Sequence, residues 1–100
     1  MSNNVNTLFW LILAIDKKEQ VKIKYGSESS YRIIEPFIIG ENKSKEIMLR
    51  AFDLGKNDWR LFKVSKISEI QNSGKKFAGG RAGYNGSSDK AMKKILRRVK

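Results

Sequence analysis

The sequence predicts a mostly-β domain, a small twisted antiparallel sheet or barrel with a helix at each end. Three observations carry that prediction. Four β-forming segments follow one another between residues 21 and 64, separated by short polar turns. An apolar run over residues 8 to 15 precedes them, and a basic amphipathic stretch over residues 89 to 99 follows. Several short strands at close spacing, joined by tight turns, are the pattern of a small antiparallel sheet or barrel.

Thr7 is placed to cap a helix over residues 8 to 18, in which Leu8, Leu11, Ile12 and Ile15 fall on one side at i, i+3, i+4, i+7 spacing. Phe9, Trp10 and Leu13 spill onto its other faces, so this helix must be packed on two sides or cover a partner. The first strand is the alternating Val21-Lys22-Ile23-Lys24-Tyr25. The second runs from Tyr31 to Ile39, where Pro36 removes a ladder donor and implies a bulge or an edge position. The third spans residues 46 to 54, with Ile47, Leu49 and Ala51 on one face and Met48, Arg50 and Phe52 on the other. Trp59 to Val64 forms the fourth. Residues 65 to 71 suit a short helical turn or a fifth strand.

Composition then shifts. Residues 72 to 86 hold five of the eight glycines and read as a linker, after a barrel unit over residues 1 to 71. Residues 87 to 100 read as a basic amphipathic helix, with Asp89 in its first turn and a stripe of Ala91, Met92, Ile95, Leu96 and Val99.

Charge and composition narrow the function. The chain has no cysteine and no histidine, which removes disulfides, thiolate or imidazole metal sites, and His-based catalysis. The ten carboxylates form no recognisable acid/base or metal motif, so the expectation is a binder and not an enzyme, with no cofactor. Eight apolar residues fall far short of the roughly 20 a membrane helix needs, which points to a cytoplasmic protein without membrane attachment. Net charge is +11, of which residues 74 to 100 contribute +8. Such a field attracts nucleic acid, acidic proteins or anionic lipid without choosing among them.

The strand residues carry a further pattern. Arg32, Arg50, Arg60, Lys63 and Lys66 are cations embedded in strand-like sequence beside Tyr25, Tyr31, Phe52, Trp59 and Phe62. Fixed cations beside rings suit a planar, anionic ligand. The competing assignment is structural: Arg32 paired to Glu35, Arg50 to Asp53 or Asp58, and the rings in the core.

These residues bear a family likeness. Arg32-Ile33-Ile34-Glu35-Pro36-Phe37 resembles the arginine-x-x-glutamate-proline-aromatic element of the WYL domain, found in bacterial regulators and phage proteins. Ile47-Met48-Leu49 falls where that family has Trp-Tyr-Leu, and Arg60-Leu61-Phe62-Lys63-Val64-Ser65-Lys66-Ile67 is similar to its Arg-x-Phe-Arg-Leu-Asp-Arg-Ile segment. The resemblance runs from Leu11 to Phe77. It implies an SH3- or Sm-like barrel that senses a ligand or contacts nucleic acid in transcription regulation, with Tyr25, Arg32, Arg50, Arg60, Lys63 and Lys66 facing the ligand. Two family arginines are Lys63 and Lys66 here, and lysine lacks the bidentate fork that grips phosphate. No winged-helix unit precedes the resemblance, so a free-standing form would act alone, by oligomerising or by docking.

The expected function is therefore regulatory binding of nucleic acid or a nucleotide-like anion, with Arg81, Lys93, Lys94, Arg97 and Arg98 of the tail adding sequence-independent attraction. The alternatives are docking on a host or phage protein, or self-association, through the two terminal helices, and sensing of a small ligand.

Overall fold

In the computed structural model, which describes residues 4–84 and 86–100, one helix lies on a single six-stranded antiparallel sheet. Helix α1 spans Asn4–Lys17, so Thr7 sits inside the helix and is buried instead of capping it. Leu11, Ala14 and Ile15 face the sheet at 3% exposure or less, and Lys18, at φ 54°, ends the helix in the left-handed region. Phe9 and Trp10 remain 61% and 49% exposed on the outer side.

The strands are β1 (Glu19–Tyr25), β2 (Arg32–Glu41), β3 (Ile47–Asp53), β4 (Asp58–Lys63), β5 (Ile67–Lys76) and β6 (Lys94–Arg98). A single 3-10 turn, Val64–Lys66, joins β4 to β5, so residues 65 to 71 supply both the turn and the strand that their sequence allowed. The sheet order is β4-β3-β2-β1-β5, and β6 pairs with β2. Among the described residues β4 and β5 do not pair, so the sheet is not closed.

Strand β2 organises the molecule because three strands share it. Its first half pairs with β1 (Val21 opposite Ile34), its second half pairs with β6 (Ile39 opposite Arg97), and β3 runs along its other side. The register slips between Pro36 and Ile38, a bulge where the proline has no N–H to give the ladder. Seven consecutive β2 residues, Ile34 to Gly40, are consequently buried. Phe37 is the hub: its ring lies 4.9 Å from Trp59, 5.1 Å from Phe77 and 4.7 Å from Tyr84.

Two expectations for the C-terminal third are corrected. Residues 87 to 100 form no helix; they contain strand β6. Pairing of β1 with β2 stops at Ile34, which leaves the buried backbone of Ile38 to Glu41 in need of hydrogen-bond partners, and β6 supplies them. Met92 and Val99 are buried by this strand arrangement, so the apolar stripe is satisfied without a helix. Residues 72 to 86 are not a free linker either. Residues 72 to 76 complete β5, Phe77 and Tyr84 pack on Phe37, and Gly83 (φ 90°) lies so close to Trp59 that a Cβ would stand 2.9 Å from its Nε1.

Candidate anion-binding cleft

Register places Arg50 on the same sheet face as Phe52 of β3 and Leu61 and Trp59 of β4, since directly opposed residues in an antiparallel pair point the same way. Residues 81 to 92 cross over this face. The Arg81 guanidinium lies 3.8 Å above the Phe52 ring while its Nε donates to Glu35 Oε1 at 2.8 Å. The Trp59 indole N–H donates to the Ala82 carbonyl at 2.9 Å, and the Tyr84 hydroxyl donates to Val99 O at 2.6 Å. Arg50 then grips Asp89 with both Nε (2.8 Å) and Nη2 (3.1 Å).

Between the sheet face and this segment lies an open cleft of about 430 Å³, walled by Ile38, Arg50, Trp59, Tyr84, Asp89 and Lys90. Trp59 and Tyr84 lie 6.5 Å apart at 20°. Two near-parallel rings, the Arg50–Asp89 pair and Lys90 line one space. The Arg50 hydrogen bonds hold the Asp89 carboxyl below the usual carboxylate range, against the opposing effect of its burial. Burial raises the Tyr84 phenol.

The predicted site residues do not converge there. Arg32 lines a second cleft of about 540 Å³ with Glu28, Tyr31, Asp53 and Lys56, and it is committed to two carboxylates. Its Nη2 meets Glu28 at 2.7 Å and its Nη1 meets Asp53 at 2.9 Å, which lowers the Glu28 carboxyl and raises the guanidinium. Arg60 reaches Asp58 (3.0 Å), and Lys63 reaches Glu46 (3.1 Å). The Tyr25 ring stands edge-on to Phe62, and its hydroxyl accepts the Lys63 backbone N–H at 2.9 Å, so it is not a free stacking platform. In the tail, Arg81 pairs with Glu35 and Arg97 with Asp16 (2.9 Å). Lys66, Lys93, Lys94 and Arg98 are exposed and make no ion pair among the described residues.

The pairs differ in kind. Arg32, Arg50 and Arg81 each hold an acid that is 8% exposed or less, so losing the arginine would strand a buried charge. Arg60, Lys63 and Arg97 sit in open pairs that contribute little and exchange readily. The strand cations therefore do not gather as one free surface: Arg32 and Arg50 are spent on buried acids, as is Arg81 of the tail, while Arg60 and Lys63 sit in open pairs. Tyr84, Lys90 and Asp89 went unnoticed as site residues. The signal available was Asp89 itself, the one acid among nine bases in residues 74 to 100.

A family model for the WYL domain matches residues 7–72. The chain belongs to the WYL domain family. The matched part of the WYL domain holds α1, β1 to β4 and most of β5, while residues 81 to 92 and β6 lie beyond it. Among solved structures, proteasome accessory factor B/C (PafBC) of Arthrobacter aurescens aligns with TM-score 0.69 and 20% identity over 81% of this chain. The matched region is 13% of that protein's length, so the likeness is one of fold. No curated protein matches the chain. No helix among the described residues is long and apolar enough to cross a membrane.

Proposed function

We propose that this WYL domain is a regulatory or accessory module that binds nucleic acid through phosphate contacts made mainly by lysines, and that it acts by binding and not by catalysis. The supporting observation is how the charge is distributed after ion pairing. Among the described residues seven of the 21 lysines and arginines are paired to carboxylates, and the fourteen left are thirteen lysines and Arg98. Lysine is a compact, hydrated point charge on a flexible stem, suited to phosphate attraction without sequence readout.

One end of the sheet concentrates these side chains. The β2–β3 hairpin loop carries Lys43 and Lys45, and Lys63 reaches that loop's Glu46, whose carboxyl is lowered chiefly by Asn42 and then by Lys63, with Lys66 adding to the effect. On the opposite flank the Lys93 N–H donates to Glu41 O at 2.7 Å, and Lys94 stands opposite Glu41 in the β2–β6 register. Six lysines, all but Lys63 without an ion pair among the described residues, thus stand on or beside the elements that carry Glu41 and Glu46. This reading takes the open sheet as a relative of the SH3- or Sm-like barrel and sets the protein in the cytoplasm.

The test is affinity for a short single-stranded oligonucleotide across a salt series from about 50 to about 200 mM. Affinity should fall steeply, with a log–log slope near −0.7 per phosphate neutralised. A slope near zero would reject the reading. It would favour instead a docking role for the exposed Phe9 and Trp10 of α1, whose apolar contacts respond little to salt.

A further inference from the structure

The cleft beside Arg50 has an occupant supplied by the chain itself. Asp89 offers Arg50 a bidentate carboxylate, the same planar pairing a guanidinium makes with a phosphate. We propose that Asp89 is a built-in stand-in for a ligand anion on Arg50, and that a phosphate-bearing, ring-containing ligand displaces it, seating its phosphate between Arg50 and Lys90 and its ring beside Trp59. The inference rests on the nucleic-acid reading above and adds to it a gated site.

Three observations support displacement. First, the covering segment is held mostly by side chains. Away from residues 85 to 87, the backbone bonds of residues 78 to 92 are two local ones, Tyr84 N to Arg81 O and Met92 N to Asp89 O. The stretch that carries Asp89 and Lys90 can therefore shift without breaking a ladder. Second, a ligand phosphate would take over the Arg50 hydrogen bonds, so displacement strands no buried guanidinium, and an Asp89 released to solvent is rehydrated. Third, the space next to the pair is already open and bordered by Trp59, Tyr84 and Lys90, so a ring surface and a second cation, whose charge already acts on Asp89, stand beside Arg50. The segment also lies outside the region matched by the family model.

Asp89→Asn is the decisive variant, because its amide oxygen can still accept the Ala91 N–H that Asp89 Oδ1 accepts now at 2.9 Å. With a labelled short oligothymidylate as probe, Asp89→Asn should bind about tenfold tighter than the wild type, the scale of one charge-assisted hydrogen-bond pair. Asp16→Asn makes the same charge change on the exposed Arg97 pair and should alter affinity by less than about twofold. Arg50→Gln combined with Asp89→Asn should cancel the gain. If the wild type binds but Asp89→Asn binds no tighter, or if Asp16→Asn gains equally, the gate is wrong and the lysine reading stands. If neither the wild type nor Asp89→Asn binds, the nucleic-acid reading fails and the gate with it. A measurement on the wild type covers the case of a misfolded variant. Oligothymidylate should speed amide exchange at Ala91 and Met92 several-fold, and slowed or unchanged exchange there would overturn the gate.

Discussion

Arg50 and Arg32 show how a side chain's partner is decided by geometry that neighbouring sequence does not contain. Local reading offered Glu35 to Arg32, and Asp53 or Asp58 to Arg50. Alternation along a strand puts residues three apart on opposite faces, which separates Arg32 from Glu35 and Arg50 from Asp53, and Asp58 lies opposite Asp53 in the register. Arg32 takes Glu28, four residues away, and Asp53, 21 residues away, and Arg50 takes Asp89, 39 residues away. Arg32→Ala should therefore cost about 2 kcal/mol in urea unfolding, since Asp53 would be left buried without its cation. Arg60→Ala, in an exposed pair, should cost under about 1 kcal/mol. The depressed Asp89 carboxyl gives a pH signature. Its folded-state pKa lies below its unfolded value, so the stability it contributes is full above the ordinary carboxylate range and is lost as pH falls through the folded value. The stability difference between wild type and Asp89→Asn, read from thermal unfolding, should accordingly be larger at pH 7 than at about pH 3.

At the scale of elements, segments whose partners are sequence neighbours were legible and the last strand was not. The apolar spacing of α1 and the alternation of β1, β3 and β4 reflect contacts each element makes along its own length, and Pro36 announced the β2 bulge. The spacing of Met92, Ile95 and Val99 fits a helix as well as it fits a strand with irregular ends, and the unpaired half of β2 that decides the matter lies some 50 positions earlier in the chain. Gly40 records that decision. A Cβ there would stand 2.5 Å from the Lys94 carbonyl oxygen and 2.8 Å from Met92 Sδ, so only glycine lets β6 approach. Gly40→Ala should destabilise the fold by about 2 kcal/mol and raise amide exchange in residues 94 to 98 before the rest of the sheet. Exchange that rises uniformly instead would show that β6 does not detach on its own.

For the whole molecule, charge was the most legible property and its allocation the least. A net +11 is visible in the composition, and so is a basic C-terminal third. Which cations remain outward depends on the ion pairs, and those consume five of the six arginines while sparing most lysines. The proposed nucleic-acid interface thus moves from Arg50, Arg60, Lys63 and Lys66 together to the lysine-rich end of the sheet, which keeps Lys63 and Lys66, with Arg50 held in reserve behind Asp89 in the proposed gate. The most direct test of that move is the salt dependence of single-stranded oligonucleotide binding, measured for the wild type and for Lys43, Lys45, Lys93 and Lys94 changed together to glutamine. The account predicts that the log–log slope becomes shallower by about 3, the share of four lost phosphate contacts. A slope unchanged by the four substitutions would contradict it.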